Sequence, residues 1–249
     1  MPQTNSITTI LFDLDGTLLH HTPSSLDVFL QILDEKGIEQ ARDPQAWQRA
    51  RRWIHYYWAK SSEFVEDIKT FGRAVELSEA FWENYLRKKL IVLGCSEEEA
   101  IELLPEIAPL MEKRYQPQSS IPEDVPPTLS ALRETGFTLG LVSNRSEPFQ
   151  EEIAGLGLAD FFDFAFTAGE VGSWKPDEEI FLHALKLAQS APESALYVGD
   201  NYYADILGAH GAGIRSILVD PQGVFPDADC PVIGSVGGLV EWLDLGKAS

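Results

Sequence analysis

Cysteine is scarce in this 249-residue chain: Cys95 and Cys230 are its only two, far apart in sequence and without the spacing of a metal-binding pair or a disulfide framework. A reducing compartment fits that usage. Basic residues are also few, 19 Lys and Arg against 39 Asp and Glu, for a formal net charge of −20. Binding a nucleic acid polymer depends on clustered cations that release counterions from the backbone, so that class of partner is not expected. A small anion needs only a local cation and stays open. No apolar run is long enough to span a bilayer, and residues 1–9 have no basic start, so neither membrane contact nor a secretory signal is expected. The reading is a soluble, cytoplasmic protein.

What is present is an alternation. Residues 7–13 form a short, nearly continuous apolar run, as in a strand buried on both faces of a parallel sheet. Similar runs recur at 137–142, 164–168, 195–198 and 216–219, each followed by polar or Gly-containing residues and then a helical pattern. Pro126 and Pro127 open a predicted helix over 128–135 that Gly136 closes, and Pro176-Asp177 precede another over 178–189. Residues 24–115 contain no strand-like run and carry Glu, Lys, Leu, Trp and Tyr at helical spacing. The expected architecture is an α/β core with a Rossmann-like parallel sheet, built from residues 1–20 and 117–249, with an all-helical insert, 21–116, after the first strand. Linkers are expected near 20–25 and over the proline-rich 117–127.

Charge follows the same division. Residues 20–116 hold 13 Lys or Arg against 17 Asp or Glu, which leaves six against 22 elsewhere. A basic residue at a strand end of the core therefore carries more weight than an average surface lysine.

The chemistry is concentrated at those strand ends, where parallel sheets bind ligands. Asp13-Leu14-Asp15-Gly16-Thr17-Leu18 closes the first run. Two carboxylates there repel unless compensated, and hard oxygen ligands suit Mg²⁺, which would also screen an incoming phosphate. Gly16 permits a turn that aims the two carboxylates differently. Ser143-Asn144 closes the second run and offers a hydroxyl and backbone N–H groups to a phosphate oxygen. Lys175 lies in Val171-Gly172-Ser173-Trp174-Lys175-Pro176-Asp177, after the third run. Gly199-Asp200-Asn201-Tyr202-Tyr203-Ala204-Asp205 follows the fourth. Singly, each has a bland reading, such as Asp200-Asn201 capping a helix.

Together, in this order, the four motifs resemble those of the haloacid dehalogenase (HAD) superfamily, and the insert resembles the helical cap of one of its subgroups. The resemblance implies a Mg²⁺-dependent phosphatase acting on a small phosphorylated metabolite. Asp13 would be the nucleophile, Asp15 the general acid and base, and Thr17 the group orienting Asp15. Ser143, Asn144 and Lys175 would bind the phosphate. Mg²⁺ would be held by the Asp13 carboxylate, the Asp15 backbone carbonyl and Asp200, with Asp205 supporting the metal site or orienting Lys175.

Three further readings share these motifs. A phosphomutase of the β-phosphoglucomutase kind differs only in the fate of the phosphoryl-enzyme. A haloacid dehalogenase needs no acid for an alkoxide, so Asp15 argues against it. A non-catalytic ligand-binding protein would not need every motif intact. In the insert, Arg49, Arg51 and Arg52 beside Trp53, His55, Tyr56, Tyr57 and Trp58 read first as a solvated face and a hydrophobic core. Arg145, directly after Ser143-Asn144, is the better candidate for specificity. His20 and His21 flank the forward linker, and His183 and His210 lack metal-ligand spacing.

Overall fold

The computed structural model describes residues 7–72 and 77–245; of the expected segments, residues 1–6, 73–76 and 246–249 lie outside the described residues. The chain opens with β1 (Thr9–Phe12) and β2 (His20–Thr22). Five helices follow: α1 (Ser25–Glu35), α2 (Pro44–Trp58), α3 (Ser62–Phe71), α4 (Glu79–Leu93) and α5 (Glu97–Arg114). Then come β3 (Gln118–Ser120), α6 (Val125–Thr135), β4 (Thr138–Ser143), α7 (Gln150–Gly155), β5 (Phe164–Thr167), α8 (Ala168–Val171) and α9 (Glu178–Ala188). The chain ends through β6 (Ala195–Gly199), α10 (Leu207–Gly211), β7 (Arg215–Val219), β8 (Val232–Ile233) and α11 (Gly238–Trp242). By backbone contacts it divides into two compact units, Met1–His20 with Ser120–Ser249, and His21–Ser119.

The first unit is built on a six-stranded sheet in the order β5-β4-β1-β6-β7-β8, and every pairing is parallel. Both faces of β1 are covered, which is why its sequence runs apolar without alternation. Ile10 and Phe12 join Leu139, Leu141, Leu196 and Val198 on one face, with Leu129 and Leu132 of α6 against them. Leu11, Val142 and Tyr197 lie on the other, against Ile180, Phe181 and Ala184 of α9. Counted along the chain within this sheet, the first strand lies between the second and the fourth. The order therefore reverses at β1 and β6, and the crevice beyond their carboxyl ends is where such folds bind ligands.

Three details differ from expectation. Helix α6 begins three residues early, at Val125, because prolines at 126 and 127 fall in a first turn whose amides have no intrahelical partner anyway. The supposed linkers contain β2 and β3, which pair with each other; adjacent chain crossings can satisfy each other's backbone groups, a long-range effect invisible to local patterning. The two-residue edge strand β8 was also too short to register as a run.

In the second unit, α1, α2, α4 and α5 bury Phe29, Leu33, Ala50, Leu90 and Ile107 together. A separate aromatic cluster gathers Tyr57, Phe81 and Tyr85, with Trp53, Trp58 and Phe64 packed against it. Helix α4 ends at Gly94 in the left-handed conformation, and Ser96 and Glu99 close a capping box on α5. Among the described residues no helix is long and apolar enough to cross a membrane.

Lys89 of α4 is an unusual core residue, 1% exposed, with its ammonium 4.3 Å from the Phe29 ring centroid and 5.4 Å from that of Tyr85. Burial pushes its pKa down to about 7. In the unfolded chain it returns to the ordinary lysine value of about 10.4. Between those values the unfolded chain binds more protons, so this residue makes stability rise with pH, and its penalty is full below about 7. Lys89→Met is expected to stabilise the protein at pH 7 by about 3 kcal/mol and to remove that contribution to the pH slope. Urea melts of both proteins at pH 7 and 10 check this, and a constant difference between them would refute it.

Candidate active site

The Asp13 N–H donates to the Val198 carbonyl at 2.9 Å, which carries the sheet pairing one residue past β1 and fixes this side chain at the switch point. The chain then turns tightly: Gly16 N–H reaches Leu19 O at 2.8 Å, and Gly16 has φ of 92°. A side chain at 16 is barred twice, by that backbone conformation and because its Cβ would lie 2.4 Å from Asp200 Oδ2. The turn thus brings the loop after β1 against the loop after β6.

Lys175 is the buried cation of the site, 2% exposed. Its ammonium donates to Asp13 Oδ1 at 2.5 Å, to Asp205 Oδ1 at 2.7 Å and to the Val142 carbonyl at 3.3 Å. Three protons meet three acceptors, so the charge is fully hydrogen-bonded. The Tyr197 ring lies beneath it, 5.6 Å from the ammonium. Asn144 anchors the lysine from behind. Its side-chain amide donates to Lys175 O at 2.9 Å and its Oδ1 accepts Lys175 N–H at 2.7 Å. That commitment leaves the Asn144 backbone, not its side chain, to meet a ligand.

Asp200 follows β6 directly. The helix-capping part belongs to Asn201, whose Oδ1 accepts from Tyr203 and Ala204 N–H, both at 3.0 Å. Asp205 is buried with one oxygen on Lys175 and the other accepting Asn201 N–H at 2.9 Å. Gly199 makes room for it, since a Cβ there would lie 2.4 Å from Asp205 Cγ. The buried Thr17 hydroxyl is 3.2 Å from Asp13 Oδ2 and 3.5 Å from Asp200 Oδ1. Its hydrogen bonds thus tie the turn to both of these carboxylates.

One carboxylate oxygen each from Asp13, Asp200 and Asp205 lies within 4.8 Å of the others. Burial raises Asp13 to about 7, against the pull of Lys175 and with the push of Asp205. Asp200 is also held well above the carboxylate range, by burial first and then by Asp13 and Asp205. Burial opposes the charge on Lys175, but Asp13 and Asp205 outweigh it and raise its pKa. Three carboxylates against one ammonium leave an excess of two negative charges, which one divalent cation would balance. Both Asp205 oxygens are already used, so Asp13 and Asp200 are the side chains that fit such an ion.

Asp15 and Ser143 complete the cluster. Ser143 is buried, and its Oγ accepts Arg145 N–H at 3.3 Å. Asp15 is gripped by Arg145, with Nε on Oδ2 at 2.8 Å and Nη2 on Oδ1 at 2.7 Å. Arg145 Nη1 also donates to Glu152 of α7. Sequence reasoning marked Arg145 but missed its partner, and missed Tyr197 and Glu152 altogether; the only signal for Tyr197 was a tyrosine inside an apolar strand. Arg49 and Arg51 lie 3.8 Å from Asp43 and Asp27 within the helical unit. The His183 ring packs on Phe166, and His210 Nε2 is 2.9 Å from Ser216 Oγ.

A family model described as haloacid dehalogenase-like hydrolase matches residues 7–213. The chain is 32% identical over 223 residues to the haloacid dehalogenase-like hydrolase domain-containing protein 3 of Homo sapiens, covering 87% of this chain and 84% of that one. It is also 32% identical over 236 residues to phosphoserine phosphatase of Thermus thermophilus, 88% of this chain and 90% of that one. Among solved structures, a 2-haloacid dehalogenase from Pseudomonas syringae pv. Tomato superposes with a TM-score of 0.54 at 30% identity, covering 96% of this chain and 98% of that one. With the reversal point of the sheet, the Asp13–Lys175–Asp205 contacts and this match over most of its length, the chain belongs to the haloacid dehalogenase-like hydrolases.

Proposed function

We propose that the protein is a Mg²⁺-dependent phosphatase that hydrolyses small phosphomonoesters through an aspartyl-phosphate on Asp13. The observation that carries this reading is Asp13 itself: a buried carboxylate at the switch point, with one oxygen held by Lys175 at 2.5 Å and a second carboxylate, Asp15, one residue beyond its neighbour. Magnesium held by the Asp13 and Asp200 carboxylates and the Asp15 backbone carbonyl would supply charge screening for the phosphate.

The steps on this chain's own groups balance. An Asp13 oxygen attacks phosphorus, the ester P–O bond breaks, and Asp15 gives its proton to the departing alcohol oxygen. Water then attacks the aspartyl-phosphate phosphorus, its proton passes to Asp15, and Asp13 is released as carboxylate. Ser143 Oγ, the Asn144 N–H and the Lys175 ammonium meet the phosphoryl oxygens, where fixed donors act most strongly on the transition state. The helical unit His21–Ser119 has in this reading the role of a cap, as in the subgroup whose insert it resembles.

The likeness to a 2-haloacid dehalogenase favours a second reading in which Asp13 displaces halide from carbon. Halide leaves without a proton and without neutralisation of a phosphate. Asp15 and Asp200 would then have no task, which supports the phosphatase. Phosphate release from a panel of small phosphomonoesters, with and without Mg²⁺, tests the choice. Metal-dependent release is expected from at least one ester; halide release from a 2-haloacid with none from any ester would reverse it.

A further inference from the structure

The grip of Arg145 on Asp15 bears on which alcohol leaves, and it rests on the phosphatase reading above. To protonate a leaving oxygen, Asp15 must aim a protonated oxygen at the ester. Here both of its oxygens accept from one guanidinium, at 2.7 and 2.8 Å. At least one of those bonds has to open first. A guanidinium gives up a carboxylate most readily to another anion that offers equivalent acceptors. The transferring phosphoryl already has Ser143, Asn144 and Lys175, so the competing anion belongs on the other side of the breaking bond, where Asp15 delivers its proton.

Among its described residues, the rest of the core unit supplies no alternative cation at that end of the sheet. Arg133 and Lys186 sit in the last turns of α6 and α9, and Arg215 begins β7, which places all three at the amino end of the sheet. Lys175 is held among Asp13, Asp205 and the Val142 carbonyl, and in the phosphatase reading it serves the transferring phosphoryl. Among the described residues of this unit, that leaves Arg145 at the carboxyl end to face a second negative group. Glu152 holds its Nη1, so the guanidinium stays in place while its Asp15 bonds are exchanged.

We infer that Arg145 is a latch on Asp15 opened by a second anionic group on the substrate, so that the preferred esters carry a carboxylate or a second phosphate on the alcohol side. The substrate that fits is thus a doubly anionic metabolite, not a neutral sugar or simple alkyl phosphate. Arg145 both binds that group and frees Asp15 only when the group is present.

The test compares matched esters on the full chain with Mg²⁺: 3-phosphoglycerate against glycerol 3-phosphate, and phosphoglycolate against 2-hydroxyethyl phosphate. Wild type is expected to favour the anionic member of each pair in kcat/KM by about tenfold or more, the size of one charge-assisted hydrogen bond. In Arg145→Gln, KM for the anionic esters rises by a similar factor, whereas kcat for the neutral esters rises because the latch is gone. Arg145→Lys, which keeps charge but cannot grip both oxygens, retains part of the preference and also releases the neutral esters. Equal losses on both members in Arg145→Gln and Arg145→Lys, or no preference in wild type, overturn the latch while leaving the phosphatase intact. Absence of metal-dependent release from every ester instead removes the phosphatase reading, and the latch with it.

Discussion

Asp13→Asn is expected to lower Mg²⁺-dependent phosphate release by about four orders of magnitude or more, with the fold intact. An amide oxygen is a poor nucleophile, and the neighbouring carboxylates are committed elsewhere, Asp200 to the metal in the proposed reading. Asp15 is held by Arg145, and Asp205 has one oxygen on Lys175 and the other on a backbone amide. The substitution also removes a charge that burial already disfavours, since Asp13 is raised to about 7. Lys175 keeps Asp205 and the Val142 carbonyl as acceptors. Unfolding free energy in the absence of metal is therefore expected to hold steady or rise, so lost turnover cannot be traced to lost structure. Phosphate release and urea melts on the same preparation check both halves. Retained turnover would remove Asp13 as nucleophile; a large loss of stability would mean that its carboxylate contributes more to the fold than its surroundings imply.

The parts of the site that were legible in the sequence are those written by local physics. A strand buried on both faces must be apolar throughout, so β1, β4 and β6 announced themselves, and the polar residues that end them were conspicuous by position. Gly16 was legible as a turn residue, but not the second reason for it, that the Asp200 carboxylate from a distant loop occupies the space of its Cβ; Gly199 leaves the same room for Asp205 of its own loop. The same holds for Arg145. Its place after Ser143-Asn144 put it near the phosphate, yet its contact with Asp15 spans 130 positions and depends on the order of strands in the sheet. The Thr17 hydroxyl's contact with Asp200 spans 183 positions and was equally hidden, the resemblance having given that residue only the task of orienting Asp15.

Lys175→Met is expected to cost both activity and stability, with an unfolding free energy lowered by about 3–5 kcal/mol. The reason lies in what the lysine leaves behind. Asp205 is fully buried, and without the ammonium one of its oxygens loses its only described partner, while Asp13 loses the cation that offsets its burial. Removing one member of a buried pair leaves the other as an unpaired charge, which is worse than removing both. The double variant Lys175→Met with Asp205→Asn is accordingly expected to recover part of the loss, with a coupling of about 1–3 kcal/mol between the two positions. Turnover should not return with it, because the phosphoryl group still lacks the Lys175 donor. Urea melts of wild type, both single variants and the double variant measure the cycle. Additive losses would mean that Lys175 and Asp205 stabilise the fold independently. A recovery of stability without activity is the pattern of a lysine that holds the carboxylates together for folding and meets the phosphate for chemistry.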